Sequence, residues 1–409
     1  MQVVNMPETT IFPPPDEWII RRRNLQSILL NLQIDVAWLA QAQDVFYFCG
    51  TAQNGHLLIF ADDEPLLFIR SYAPRARCES KLNTVIPFRR MADIHAVIGS
   101  RREFQNRIPR VGIEMDVLPI KTWERLKQVL PVAEWVDLSP SIRALRACKS
   151  DTEIACIHQA AVCLDRVFDQ IPGWLRKGMT ELELTSRIES SLRQDGHQGF
   201  IPVRAFNSFI HYGNVLFGSN GAVRGPFDGP TCGPGLYPAI PKGSGWKHLE
   251  PGEPVFVDLV AGIGGYLADA TRVFSLDFIP PNLENAHTAC IDILEALANR
   301  IRPGVCCSDA YADALSMASD RHISEWFMGP PDDSAAFVGH GVGLEIDELP
   351  ILAAGVSARL ATGNIIAIEP KAVFPNEGAV GVENTYLITD SGAVPLTRFP
   401  LELHFVKSG

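Results

Sequence analysis

Residues 254–275 read Pro-Val-Phe-Val-Asp-Leu-Val-Ala-Gly-Ile-Gly-Gly-Tyr-Leu-Ala-Asp-Ala-Thr-Arg-Val-Phe-Ser. The run around Asp258 is apolar on both sides, as in a buried strand, and a second such run surrounds Asp269. The midpoint between the two aspartates falls between Ile263 and Gly264, inside Gly262-Ile-Gly-Gly265. With the turn centred there, the spacing predicts a hairpin in which Asp258 and Asp269 are direct cross-strand partners. They then share one face, with Cβ atoms ~5 Å apart. Two carboxylates held in that way repel unless a cation or a proton lies between them.

The pattern recurs near the C-terminus. Asn364–Val373 and Ala379–Thr389 read as a second hairpin, and Glu369 and Glu383 have their midpoint at Asn376, inside Pro375-Asn-Glu-Gly378. Glu369 ends the apolar run Ile365-Ile-Ala-Ile, and an unpaired buried carboxylate is costly. Two divalent cations would balance four such acids. His340, in Gly339-His-Gly-Val-Gly-Leu344, is the fifth candidate, because glycines on either side let backbone approach closely. One imidazole with four carboxylates is an oxygen-rich ligand set, suited to Mn, Co, Fe or Zn rather than to a thiolate site. Two ions ~3.5–4 Å apart would share a water, lower its pKa and clamp a tetrahedral intermediate.

Working outward, Ser150-Asp-Thr-Glu153 is a capping box that opens a helix carrying Ile154, Ile157, Ala161, Leu164 and Phe168 on one face. Thr180 and Glu183 open another, which Gly196 ends. Gly218–Gly245 is long, rich in Gly and Pro and irregular, as functional loops often are. A long helix is expected over Leu283–Ile301 and a shorter one from Ser308. The first ~145 residues read as a smaller α/β unit: a helix over Ile20–Leu32, strands at Val36–Leu39 and Val111–Glu114, and a hairpin of His56–Phe60 and Pro65–Ile69. The expected division is 1–147 and 148–409, with the boundary in the Asp137–Lys149 stretch.

Lys plus Arg number 36 and Asp plus Glu 47, so the net charge is −11. With no basic run longer than Arg21-Arg22-Arg23, the chain has no electrostatic footprint for nucleic acid or an anionic membrane. No apolar run reaches the ~18 residues of a membrane span, and Met1–Trp18 lacks the basic start and apolar stretch of a secretory signal. Nine cysteines with no C-x-x-C spacing make a poor zinc site and a poor disulfide framework. Packed thiols in a reducing cytoplasm are expected. The adjacent Cys306 and Cys307 fit that packing, although a thiolate there would gain from the helix start at Ser308. Gly262-Ile-Gly-Gly265 lacks the G-x-G-x-x-G spacing. The chain also has no G-x-S-x-G elbow, H-E-x-x-H or G-K-[ST] loop.

Asp258, Asp269-Ala-Thr-Arg272, Gly339-His340-Gly, Ile368-Glu369-Pro370 and Val382-Glu383-Asn384 resemble, in order, the metallopeptidase family of methionine aminopeptidase, prolidase and aminopeptidase P. The resemblance implies an α+β architecture, with a C-terminal pita-bread catalytic domain behind a smaller α/β creatinase/prolidase-type domain. It implies that Asp258 is the terminal ligand of one metal, that Asp269 and Glu383 bridge two, and that His340 and Glu369 complete the second. Glu369 would also act as general acid/base while a metal-bound hydroxide attacks. Arg272 would fix a carboxylate by a bidentate bond. A homodimer is implied as well.

The chain departs from the proline-directed members at three positions: Pro241 and Asp347 stand where histidines are usual, and Gly381 stands where aminopeptidase P has arginine. His211 and His248 are candidates to replace a missing proton donor. Asp347 reads either as an anchor for a substrate amine or as an incidental, solvated loop carboxylate. The leading functional expectation is a dinuclear hydrolase of peptide bonds, of the Xaa-Pro aminopeptidase or dipeptidase type. The alternatives are a C–N hydrolase or lyase acting on a small amide, as creatinase exemplifies, and a non-catalytic binding protein.

Overall fold

The computed structural model describes residues 11, 13–70, 72–99, 101, 104–105, 107–226 and 229–408. The first ten residues, and with them most of the stretch read for a leader, lie outside the described residues. The chain forms two compact units, residues 1–146 and 147–409.

The first unit is one six-stranded sheet with strands β1 (Val36–Leu39), β2 (Gly55–Phe60), β3 (Leu66–Ile69), β4 (Val85–Pro87), β5 (Arg110–Ile113) and β6 (Glu134–Asp137), in the spatial order β4-β3-β2-β1-β5-β6. The β2–β3 hairpin is antiparallel, and β1–β5 and β5–β6 are parallel. Parallel pairs need crossover helices, among them Ile120–Val129 between β5 and β6. Trp38, Phe60, Phe68 and Leu126 are among the core side chains.

The second unit carries β7 (Gly213–Phe217), β8 (Pro254–Ile263), β9 (Tyr266–Leu276), β10 (Phe337–Gly341), β11 (Glu348–Ala353), β12 (Ile365–Ile368), β13 (Lys371–Phe374), β14 (Gly378–Gly381), β15 (Asn384–Thr389), β16 (Gly392–Pro395) and β17 (His404–Val406). One sheet has the order β17-β9-β8-β7, another β11-β10-β12-β15-β16, and β13-β14 is a separate ribbon. Helix Asp151–Gln170 begins at the reciprocal Ser150/Glu153 cap, and Glu181–Gln194 at the Thr180/Glu183 cap. Gly196, at φ 97°, follows the second helix end. Helices Pro281–Arg300 and Cys307–Asp320 pack their apolar faces into one core with Ile366, Ile368 and Val380.

Every residue of β9 is buried, so both faces of the strand are covered. One face carries Asp269 and Thr271. The other carries Arg272, whose guanidinium lies 5.5 Å from the Phe168 ring of helix Asp151–Gln170. No described helix is long and apolar enough to cross a membrane.

Candidate metal centre

The two aspartates come from the β8–β9 hairpin, but they are diagonal neighbours rather than direct partners. Asp258 lies opposite Thr271, and Asp269 opposite Val260. This corrects the expected pairing, and the cause is the turn. Gly264 and Gly265 have φ of 61° and 92°, the two-residue turn that fits the twist of paired strands. Its centre is one residue later than the midpoint between the aspartates. A slip of two residues in partner keeps the face, because side chains alternate with period 2.

The glutamates follow the expected register. The β12–β15 ladder runs from Ile365↔Leu387 to Ile368↔Asn384, and β13–β14 resumes it at Lys371↔Gly381. Glu369 and Glu383 fall in the gap beside Pro370, which has no N–H for a ladder. Glu383 instead exchanges backbone hydrogen bonds of 3.3 Å with Thr271. That bridge draws the second hairpin against the first, and Thr271 Oγ1 donates to Glu383 Oε2 at 2.9 Å.

His340 sits in β10 opposite Ala367 of β12 and Ile351 of β11. Its flanking glycines are required by space. A Cβ on Gly339 would come 2.6 Å from the Ala367 carbonyl oxygen, and one on Gly341 2.2 Å from that of Leu349. The following segment is fixed by Glu348, which accepts from the N–H groups of Leu344 and Glu345 and pairs with the buried Lys149 at 3.0 Å. His340 Nδ1 faces the Gly341 carbonyl oxygen at 3.2 Å. A carbonyl only accepts, so Nδ1 carries the proton and Nε2 presents its lone pair. Nε2 lies 3.5 Å from Glu369 Oε1 and 3.9 Å from Glu383 Oε1.

Asp269 Oδ1 and Glu383 Oε1 are buried and have no hydrogen-bond partner. Ligand atoms of Asp269, His340 and Glu383 all lie within 4.8 Å of one another. Three acceptors converge there with no donor between them, which is the arrangement a cation stabilises. Burial, then repulsion from Glu383 and Asp258, raises the Asp269 pKa well above the usual carboxylate range, with Lys371 opposing. Burial likewise raises that of Asp258, again against Lys371.

Lys371 was not foreseen. Its ammonium donates to Glu369 Oε2 at 2.6 Å, Glu383 Oε2 at 2.9 Å and Asp258 Oδ2 at 3.3 Å. Burial alone would lower its pKa, but Asp258, Glu369, Glu383 and Asp269 outweigh that effect and hold it well above the ordinary lysine value. The available signal was parity. Lys371 is two residues after Glu369 on an apolar strand, so it shares the glutamate's face.

These side chains open on a cavity of about 300 Å³ that is also lined by Asn214, Thr231, Lys242, Phe337, Ile346 and Asp347. His340 is the one histidine among the described lining residues. His211 and His248 are exposed and lie outside that wall. Pro241 turns its carbonyl to the Cys232 thiol. Asp347 is half-buried rather than a free loop carboxylate: its two oxygens accept from the Arg204 and Ala205 N–H groups at 2.8 and 2.9 Å, which ties down one wall. Gly381, at φ 140°, leaves no room for arginine, because a Cβ there would lie 2.6 Å from Lys371 Cα. Arg272 does not grip a carboxylate as expected. It donates to the carbonyls of Thr271, Glu383 and Phe399 and to Asn384 Oδ1, because its side chain lies on the β9 face away from the acids.

The profile of Metallopeptidase family M24 matches residues 155–390, more than half the chain, and that of the Creatinase/Prolidase N-terminal domain matches residues 21–148. The chain belongs to metallopeptidase family M24. Membership identifies it as a metallopeptidase-type hydrolase and implies divalent metal ions. Among relatives of this M24 chain, a putative dipeptidase of Bacillus subtilis is 26% identical over 390 residues, covering 94% of this chain and 99% of the relative. An Xaa-Pro dipeptidase of Pyrococcus furiosus is 25% identical over 386 residues, covering 94% and 99%. The fold is that of solved prolidases. An Xaa-Pro dipeptidase from Bacillus anthracis superposes with a TM-score of 0.80 at 22% identity, over 95% of this chain and 100% of that one. A prolidase from Pyrococcus horikoshii gives 0.78 at 22%, over 93% and 99%. The buried, unpartnered oxygens of Asp269 and Glu383 fit the divalent-metal chemistry of the family. The oxygens around Lys371 already have a cation.

Proposed function

We propose that this chain hydrolyses the peptide bond of short peptides, Xaa-Pro dipeptides among them, at a divalent cation held by Asp269, His340 and Glu383. One observation carries the reading: Asp269 and Glu383 each keep a buried carboxylate oxygen without a hydrogen-bond partner, and ligand atoms of these two residues and His340 lie within 4.8 Å of one another. The donor set suits Mn, Co, Zn or Fe. A cation held there would polarise a substrate carbonyl and lower the pKa of a bound water.

The rest is the work of the chain's own side chains. Glu369, whose Oε1 faces His340, takes the proton from the attacking water and returns it to the leaving amine. Lys371 holds Glu369 and Glu383 in place and neutralises part of their charge. Asp258 anchors Lys371 from the first hairpin. Lys242, on the cavity wall, meets the free carboxylate of a short peptide. The pinned segment at Arg204–Ala205 and the apolar Phe337, Ile346 and Ile351 shape the pocket. Nine cysteines with no C-x-x-C spacing fit a reducing cytoplasm, and the family resemblance carries a homodimer that sedimentation would detect.

The test is metal analysis of the purified chain, followed by assays of Xaa-Pro and proline-free dipeptides with Mn, Co, Zn and Fe. Metal-dependent dipeptide cleavage is the expected result. A bound metal with no cleavage of any dipeptide would overturn the peptidase reading. It would favour a C–N hydrolase acting on a small amide, to which the positions of Pro241, Asp347 and Gly381 already point, since none of them brings an imidazole or guanidinium to the cavity.

A further inference from the structure

We propose that the Lys371 ammonium stands where a second divalent ion would bind, so that this centre takes one metal ion per chain and not two. The inference rests on the proposed cation at Asp269, His340 and Glu383 and concerns what shares the site with it.

Five of the eight carboxylate oxygens fall into two sets. Glu369 Oε2, Glu383 Oε2 and Asp258 Oδ2 lie 2.6, 2.9 and 3.3 Å from Lys371 Nζ. An ammonium has three N–H donors, and three carboxylates receive them. The side chain is almost wholly buried. A divalent ion on the same oxygens would need contacts of about 2.0–2.2 Å in the volume that Nζ fills. The other set is Asp269 Oδ1 and Glu383 Oε1, which have no partner, with His340 beside them. One glutamate, Glu383, serves both sets through its two oxygens.

Charge leads to the same count. Four carboxylates carry −4. Lys371 and one divalent ion bring +1 and +2, leaving −1. A second ion would bring the sum to +1 and would have to displace the ammonium from Glu369 Oε2, Glu383 Oε2 and Asp258 Oδ2. Backbone geometry keeps the lysine in place: Lys371 is paired with Gly381, where a Cβ would lie 3.1 Å from Lys371 Cγ. The glycine therefore leaves room for the lysine side chain to lie across the ribbon toward the acids.

The test is titration of the metal-stripped chain with Mn(II), followed by calorimetry and by electron paramagnetic resonance of the bound ion. The wild type should take one Mn(II) with the spectrum of an isolated ion. Lys371→Met, which removes the charge and keeps the length, should take a second, with the spectrum of a spin-coupled pair. Two coupled ions in the wild type, or one ion in Lys371→Met at saturating metal, would overturn the inference. If Lys371→Met fails to fold, Asp258→Asn decides. The single ion should remain, because Asp258 contacts the lysine; its loss would count against the inference. His340→Ala separates the two readings. Retention of the single ion there overturns the placement of the cation itself, whereas two ions in the wild type overturn only the role given to Lys371.

Discussion

The two acidic hairpins look alike in sequence but are built differently. In the β8–β9 hairpin a two-glycine turn shifts the partner by two residues, so Asp258 and Asp269 are diagonal, with the Thr271 hydroxyl opposite Asp258. In the second hairpin the glutamates keep the expected register, and a lysine follows on the same face. The first hairpin presents negative charge and a hydroxyl. The second presents negative charge together with its own counter-charge. The difference teaches that a pair of carboxylates cannot be counted as metal ligands until every cation on the same face has been placed.

The largest effect should come from the side chains left without partners. Asp269→Asn and Glu383→Gln each weaken a ligand that no protein donor compensates. Loss of an outer hydrogen-bond partner of a metal ligand costs about 10–100-fold, so altering the ligands themselves should cost more than ~100-fold in metal affinity and in kcat/KM. Calorimetry and dipeptide assays would read both. If Asp258→Asn did equal damage to metal affinity, the two hairpins would not differ in the way described. Next in size is the effect of Lys371→Met on the metal-free chain. Removing one partner of a buried ion pair costs about 3–5 kcal/mol, measured by denaturant unfolding in chelator. Excess Mn(II) should restore much of that loss. Asp258 is the most exposed of the three partners, with 16% of its side chain accessible, and its hydrogen bond is the longest at 3.3 Å. Asp258→Asn should therefore cost about 1 kcal/mol.

Much of this was legible because period-2 alternation reports faces reliably. The parity of 258 and 269, and of 369 and 383, placed four acids toward one place, and the capping boxes at Ser150 and Thr180 started the helices where expected. What parity does not report is the partner across the ladder. That depends on the turn, and Gly262-Ile-Gly-Gly265 allows more than one turn centre until the backbone dihedrals choose. Arg272 was misread for a related reason: proximity in sequence to Asp269 suggested contact with a carboxylate, yet the odd spacing puts it on the opposite face, among carbonyls. Asp347 could not be placed at all, because its partners are backbone amides about 140 residues away. Lys371 was legible in principle but was overlooked, because a lysine in an apolar strand becomes informative only once the neighbouring acids are known to be buried.

The two lysines of the cavity sharpen the contrast further. Lys371 is surrounded by carboxylates and stays charged throughout the working range. Lys242 lies on the wall outside both hairpins. Burial pushes its ammonium down to about 8, with Lys371 adding to the shift and Cys232, Asp258 and Asp269 opposing it. Below about pH 8 Lys242 is charged and attracts the carboxylate of a free dipeptide; above it the charge is lost. KM for a free dipeptide should therefore rise as pH passes from about 7 to 9, while KM for the same peptide with an amidated C-terminus stays level over that window. Lys242→Met should raise KM for the free dipeptide by about tenfold, the equivalent of about 1.4 kcal/mol, and should remove the pH step. Lys242→Arg, which remains charged at pH 9, should keep a low KM across the range. Equal pH steps for the free and the amidated peptide would instead place the titration elsewhere in the cavity and leave Lys242 as part of its wall.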